Sequence, residues 1–330
     1  MPEQSEQHPV ARGSAEPLVS VIIPNWNGSK HLPTCLGSLR LQTYTRFETI
    51  LVDNGSQDDS LEWVEGHFPE VRVVALSRNL GFAGGVNAGI RAASGEVIAL
   101  LNNDTETDPH WLEEMVLGLG RHPEAGMMAS KILLFDRRDT LHAAGDYYRI
   151  DGIPGNRGVW QKDGVPYDKE ALVFSPCAAA AGYRREMLAE IGLFDTDFFA
   201  FCEDVDLGWR AQSVGWKCIY LPRSVVFHKL SATGGGVLAS FYGGRNCIWV
   251  IAKNYPLELY RKHRDKIWSA QWEIMRDALR AWRGEAARAR LRGQLAGLLG
   301  LPRVLRKRRE IQAARRVSIE YMESVLTRID

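Results

Sequence analysis

Short β-branched runs that end in polar turn residues alternate with amphipathic stretches along the first hundred residues of the chain. Leu18-Val19-Ser20-Val21-Ile22-Ile23-Pro24 reads as a buried parallel strand, closed by Pro24 and the turn residues Asn25-Trp26-Asn27-Gly28. Leu32, Leu36, Leu39 and Leu41 then follow helical spacing, with Pro33 in the first turn. Residues 47–52 form a second apolar run, ended by Asp53-Asn54-Gly55-Ser56, and 60–68 suggest a short helix. A third strand over 71–76, a glycine-rich entry into a helix over 81–93 and a fourth strand over 96–101 complete the series. This alternation predicts a parallel sheet with crossover helices, half of a doubly wound domain.

Beyond Pro109 the pattern changes. A helix over 111–119 and a strand over 126–135 precede a Gly-, Asp- and Tyr-rich stretch, 146–169, that reads as loops and hairpins. Residues 172–174, the small-residue run 178–182, a helix over 185–191 and a strand over 224–227 return to regular structure, a mixed half suited to shaping a second substrate pocket. After Gly234-Gly235-Gly236 the pattern is helical almost to the end, broken at Pro256 and Pro302. The expected divisions are a disordered polar lead-in over 1–16 and a catalytic domain over 17–235, split into a nucleotide half (17–104) and an acceptor half (105–235). A basic helical region over 236–330 completes the chain.

Composition narrows the functional classes. Apolar content of 45% and charged content of 25% are those of a globular protein. Five cysteines without CxxC spacing argue against a disulfide framework or a structural zinc site, and favour a reducing cytoplasm. The lead-in lacks the apolar core of a signal peptide, and no run approaches the ~18 apolar residues of a membrane span. Charge is unevenly placed: residues 245–330 hold 20 Lys+Arg against 9 Asp+Glu, net +11, and the preceding 244 residues carry net −10. A basic tail on an acidic body points to an anionic partner for the tail, while the acidic body opposes a broad nucleic-acid face.

Three polar clusters stand where apolar runs would emerge from a sheet. Asp53 heads a donor-rich turn, and a carboxylate there can accept hydrogen bonds from a base or ribose; the same residues also make an ordinary Asx-turn. In Asn79-Leu80-Gly81-Phe82-Ala83-Gly84-Gly85-Val86-Asn87 the glycines permit close backbone approach at a helix N-terminus, a ready anion site. It is neither a dinucleotide GxGxxG after the first strand nor a Walker loop. Asn102-Asn103-Asp104 offers one carboxylate beside neutral amides, an oxygen site suited to Mg²⁺ or Mn²⁺ held jointly with substrate phosphates. Glu203-Asp204 follows the aromatic Phe198-Phe199-Ala200-Phe201, a low-dielectric surround that raises a carboxylate's proton affinity as a general base requires. His228, at the end of 224–227, would complete the metal site, although a lone histidine there is more often structural.

In this order and on these elements, the clusters resemble family 2 glycosyltransferases of the GT-A fold, over about residues 19–246. The resemblance implies a Rossmann-like nucleotide-binding sheet fused to a mixed acceptor-binding half. Pro24, Asn25, Asn27 and Asp53 would then hold the nucleoside, with Asn79, Gly84, Gly85, Asn87, Asn102 and Asn103 in the donor site. Asp104 and His228 would bind the divalent cation, and Asp204, within Glu203-Asp204, would activate the acceptor hydroxyl in an inverting displacement. Arg245 or helix-end amides would help to offset the leaving diphosphate. The usual Asp-x-Asp has Asn102 at its first position, which leaves Asp104 as the main carboxylate on the ion.

The glycine-rich stretch, Gly192-Leu193-Phe194-Asp195 and Glu203-Asp204-Val205-Asp206-Leu207 look most like the rhamnosyltransferase-like branch, whose members use dTDP-L-rhamnose to build polysaccharide or lipid-linked cell-envelope glycans. The expected partners are a nucleotide-sugar donor and a glycan or lipid-linked acceptor. Leu291, Leu295, Leu298, Leu299 and Leu301 among arginines, with Trp268, Trp272 and Trp282 upstream, suit an anionic membrane interface reached through 285–330. The alternative is helices packed on the body or on a second copy of the chain, a homodimer. Two rival readings are a nucleotidyltransferase, which would want a basic glycine-rich loop after the first strand, and a non-enzymatic adaptor working through the basic tail. The adaptor would leave Asp53, Asp104 and Asp204 without a task.

Overall fold

Val19, Val21, Ile22 and Ile23 lose all contact with solvent, because a strand covered on both faces by helices has no polar side to show. This computed structural model describes residues 16–230 and 236–329; the lead-in expected over 1–16 lies outside the described residues apart from Glu16, as do Gly234 and Gly235. β1 (Val19–Asn25), α1 (Leu32–Leu39), β2 (Phe47–Asp53), α2 (Ser60–His67), β3 (Arg72–Ala75), α3 (Gly81–Ala92) and β4 (Val97–Leu101) alternate as the pattern predicts. There follow β5 (Thr105–Thr107), α4 (Trp111–Arg121), β6 (Ala125–Leu134), β7 (Leu141–Ala144), β8 (Asp146–Tyr148), β9 (Pro154–Asn156), β10 (Ala171–Val173), β11 (Ala180–Arg184), α5 (Arg185–Ile191), α6 (Glu203–Val214) and β12 (Lys217–His228). The rest is helical: α7 (Gly236–Asn254), α8 (Leu257–Arg280), α9 (Glu285–Leu299), α10 (Leu301–Ala314) and α11 (Ile319–Ser324).

One ten-stranded sheet runs through both halves in the order β10-β12-β6-β11-β4-β1-β2-β3, with β5 on β12 and β7 on β6. β1, β2, β3 and β4 are mutually parallel, whereas β11 runs antiparallel to both β4 and β6. β12 is parallel to β6 and therefore to β4. It is longer than the 224–227 stretch expected, since a register shift between Leu221 and Val225 absorbs Pro222, which would otherwise end the strand. The short β5 and β7 have no apolar alternation long enough to announce them.

The basic C-terminal helices pack on the acidic body. Val304, Met322 and Leu326 join an aromatic cluster with Tyr148, Trp209, Trp249 and Tyr255. Arg303 and Lys307 of α10 pair with Asp197 and Asp195, Lys253 of α7 pairs with Asp195 and Asp206, and Arg316 pairs with Glu190. Burial alone would raise the Asp195 carboxyl, but Lys253 and Lys307 hold it well below its usual value. Part of the tail's charge is thus matched inside the molecule.

These contacts fix a strained loop. Phe199, Phe201 and Cys202 have φ of 66°, 67° and 64°, a left-handed region that costs side-chain-bearing residues of order 1–3 kcal/mol each. Asn246 of α7, fully buried, donates to the carbonyls of Phe198 (3.1 Å), Ala200 (2.9 Å) and Phe201 (2.6 Å), and the Phe199 ring stacks on Tyr242 at 5.1 Å. Asn246→Ala, which strands these carbonyls, is expected to lower the unfolding free energy by about 2–3 kcal/mol. Chemical denaturation measures this, and an unchanged midpoint would contradict the clamp.

Candidate functional site

The carboxyl ends of β1, β2 and β4 meet at one edge of the sheet, and strand direction brings the end of β12 and the start of β11 to the same edge. Asn25, Asp53, Asn102-Asn103-Asp104 and His228 therefore converge from four strands. Asn25 is the hub. Its amide oxygen accepts from Asn103 Nδ2 (2.7 Å), and its Nδ2 lies 3.3 Å from both Asp53 Oδ1 and Ser56 Oγ. Asp53 Oδ2 accepts the Ser56 N–H, three residues on, at 3.1 Å, and Asp53 is almost wholly buried. Asn27, at φ 52°, ties this loop to the next by accepting the Gln57 N–H at 2.7 Å, and Pro24 lies half-buried beneath. Gly28 makes the hub possible: a Cβ there would stand 2.1 Å from Asn103 Nδ2 and 2.3 Å from Asn25 Oδ1.

Next to the hub, Asp104 Oδ1 and His228 Nε2 are 3.1 Å apart, both residues buried. Two donors on adjacent octahedral positions at about 2.1 Å from an ion stand about 3 Å from each other, so the pair fits a small divalent cation that takes its remaining ligands from phosphate and water. The donor set, one carboxylate and one imidazole, suits Mg²⁺ or Mn²⁺. His31, at the start of α1, brings an unpartnered Nε2 close by; burial lowers its proton affinity, which Asp104 partly restores. Lys229 follows His228, its N–H held by the Asp104 carbonyl at 2.9 Å and its ammonium 3.3 Å from Thr34 Oγ1.

Asp204 approaches from the first turn of α6. Its Oδ2 accepts the Ala178 N–H at 3.2 Å, and the neighbouring Ala179 carbonyl accepts the Asn102 N–H at 2.9 Å. Asp204 and the Asn102 backbone, two residues before Asp104, are thus attached to adjacent residues ahead of β11. Burial pushes the Asp204 carboxyl up against the pull of the Ala178 and Val205 N–H groups. Glu203 is raised well above its usual range by burial and by Asp204, and its Oε2 has no partner.

Several residues of the expected donor site also have partners within the protein. The anion site at the start of α3 is already filled by protein: the Leu80 N–H goes to Asn54 Oδ1 (2.9 Å), the Gly81 N–H to Asn79 Oδ1 (2.8 Å) and the Ala83 N–H to the Phe199 carbonyl (3.2 Å). Gly84 and Gly85 make room for Leu80 and Asn54, whose atoms would lie 2.6 and 3.2 Å from an added Cβ. Asn87 spends both ends of its amide on the Phe194 backbone, at 2.8 and 3.0 Å. Arg245 is likewise a clamp, donating to the carbonyls of Asp197 (2.8 Å) and Phe198 (2.7 Å) between the rings of Tyr242 and Trp249. The Asn102 backbone is tied to Cys35, Thr105 and Ala179.

Two residues that no sequence pattern marks also reach the site. His142, in β7, faces His228 with its Nδ1 3.0 Å from the other Nδ1; burial, then His228, lowers its proton affinity to about 4. Asp146, at the start of β8, brings its carboxyl and the Cys177 thiol within 4.8 Å of the Asp204 carboxyl. Burial and Asp204 push Asp146 well above the carboxylate range, against the Asn156 amide at 2.7 Å. A histidine in an apolar strand and an aspartate in a hairpin carry no spacing that ties them to partners so far along the chain.

Residues 20–192 match the model of glycosyl transferase family 2, more than half of the 330-residue chain. The N-acetylglucosaminyl-diphospho-decaprenol L-rhamnosyltransferase of Mycobacterium tuberculosis is 27% identical over 66% of this chain and 78% of its own length. The O-antigen biosynthesis protein RfbC of Myxococcus xanthus and a protein of Sinorhizobium fredii are each 30% identical over 66% of this chain, which spans only 18% and 25% of their lengths. Among solved structures, that of GalNAc-T7 with UDP, GalNAc and Mn²⁺ superposes with a TM-score of 0.69 at 15% identity, covering 95% of this chain and 57% of the other. The architecture is the GT-A fold.

Gly28→Ala is expected to break the Asn25–Asn103 bond and to cost about 1–3 kcal/mol of stability. Urea unfolding reads the change, and parental stability would mean that the hub is not tightly closed.

Proposed function

The chain belongs to glycosyl transferase family 2, and we propose that it transfers a sugar, with inversion, from a nucleoside-diphosphate donor to a hydroxyl of a glycan or lipid-linked acceptor of the bacterial cell envelope. The observation that carries this reading is the double attachment at Ala178 and Ala179, which puts Asp204 beside the segment that bears Asp104. Asp204 takes the acceptor proton while that oxygen attacks the anomeric carbon from the face opposite the diphosphate. Asn25, Asp53 and Asn103 would shape the nucleoside end, and Lys229, next to His228, would meet the negative charge that grows on the departing diphosphate. A divalent cation, Mg²⁺ or Mn²⁺, held by Asp104 and His228 would offset that charge. L-rhamnose from dTDP-L-rhamnose is our choice of sugar, supported by the motifs of the rhamnosyltransferase-like branch and by the name of the mycobacterial relative.

The acceptor reading extends to the membrane. No helix among the described residues is long and apolar enough to cross a bilayer. On α8, Leu259, Ile267, Ala270 and Ala278 are buried, while Trp268, Trp272 and Leu279 share the outer face at 50–62% exposure, with Trp282 just beyond. Arg261, Arg264, Arg276, Arg280 and Arg283 stand along this stretch, which suits peripheral attachment to anionic lipid at the cytoplasmic face. We centre this surface on α8, whose exposed tryptophans precede the 285–330 stretch.

Three outcomes test these statements. Asp204→Asn is expected to lower transfer by at least ~10²-fold while a nucleoside diphosphate with Mn²⁺ still raises the melting temperature. In the parent, a base must be ionised, so activity falls as pH drops through the Asp204 value, which burial raises. Parental turnover by Asp204→Asn would overturn the base assignment. Replacing Trp268 and Trp272 with Ser is expected to release the protein from phosphatidylglycerol vesicles at unchanged stability; equal binding in sedimentation would remove the membrane role of α8.

A further inference from the structure

β7 pairs with β6 through Lys131–Ala144, Ile132–Ala143 and Leu133–Leu141, which leaves His142 as an extra residue in the ladder. Such a bulge re-aims a side chain, and here it turns the imidazole toward the end of β12. The rings of His142 and His228 are 4.9 Å apart, and their two Nδ1 atoms stand at hydrogen-bond distance, 3.0 Å. Two nitrogens at that distance hold one hydrogen between them, so the tautomer of one ring fixes that of the other. The remaining nitrogen of His228, Nε2, points at Asp104.

We propose that His142 is a positioning residue for the metal site: it accepts the Nδ1–H of His228 and so leaves the lone pair of His228 on Nε2, aimed at a divalent cation beside Asp104. The inference rests on the reading of Asp104 and His228 as ligands. A histidine that binds a metal through one nitrogen nearly always has its other N–H anchored, by a carboxylate, carbonyl or water. No carboxylate or carbonyl takes that place among the described residues; the anchor is a second imidazole. His142 itself is not a ligand, because the nitrogen it turns to this site is occupied by His228. Phe135 donates its N–H to the His228 carbonyl at 2.9 Å, and His228 pairs with Thr105 and Leu134 in the sheet. The backbone of His228 is therefore fixed independently, and the ring orientation is left to His142 and Asp104.

The experiment measures Mn²⁺ affinity by electron paramagnetic resonance of the free ion, on the full chain with a saturating nucleoside diphosphate. His142→Leu is expected to weaken Mn²⁺ binding about 10- to 100-fold. His142→Asn, whose amide oxygen takes the place of Nδ1, is expected to stay within about threefold of the parent, a rescue that packing alone would not give. Nitrogen-15 shifts of the His228 ring should show a protonated Nδ1 in the parent with a diamagnetic Mg²⁺ complex. Unchanged Mn²⁺ affinity in His142→Leu, or equal loss in the Leu and Asn variants, would overturn the proposal. Asp104→Asn separates the two levels: if it too binds Mn²⁺ as the parent does, the metal site itself is misassigned, whereas a loss there with none in His142→Leu rejects the positioning role alone.

Discussion

Polar groups at the mouth of a desolvated sheet have to satisfy one another, and that requirement organises this molecule. Val21, Ile22, Leu51, Val52, Leu100 and Leu101 exclude water from the strands up to their last residues. Polar side chains just beyond them, Asn25, Asp53 and Asn103, lie where an unpaired amide or carboxylate would cost kilocalories. They are joined through Asn25, and Gly28 is the residue small enough to let the junction close. Once three strand ends are locked in this way, Asp104 has a fixed place, and β12 delivers His228 to it.

The second carboxylate is set by a different device. Its loop adopts a conformation that the local sequence resists, with three non-glycine residues of positive φ in the four positions before Glu203. Buried amide and guanidinium donors of α7 hold it, and the ion pairs of Asp195, Asp197 and Asp206 with α7 and α10 fasten it to the C-terminal helices. The charge asymmetry of the chain thereby acquires a structural meaning. Part of the basic tail neutralises acids that precede α6, and the exposed tryptophans of α8 remain for another surface.

Much of this was legible in the sequence because it depends on local patterning. The first four strands and three helices follow from apolar period and turn residues, and the convergence of Asn25, Asp53 and Asp104 follows from strand direction, whereas His228 joined them through the family resemblance. What was not legible depends on pairing across long separations. Pro222 interrupts β12, and only its pairing with β6 shows that the strand continues through a register shift. The glycine-rich stretch before α3 reads as an open anion site until Asn54, Asn79 and Phe199 are seen to occupy its donors. Arg245 reads as a free cation until its carbonyl partners, nearly fifty residues away, are in view. His142 and Asp146 become significant only beside His228 and Asp204.

The central claim is that a divalent ion and the departing diphosphate meet at Asp104 and His228. Electron–nuclear double resonance on the Mn²⁺ complex with a bound nucleoside diphosphate tests it most directly. Phosphorus couplings are expected together with one histidine nitrogen coupling that vanishes in His228→Ala. Phosphorus couplings with no nitrogen coupling, or a nitrogen coupling that survives in that variant, would contradict it.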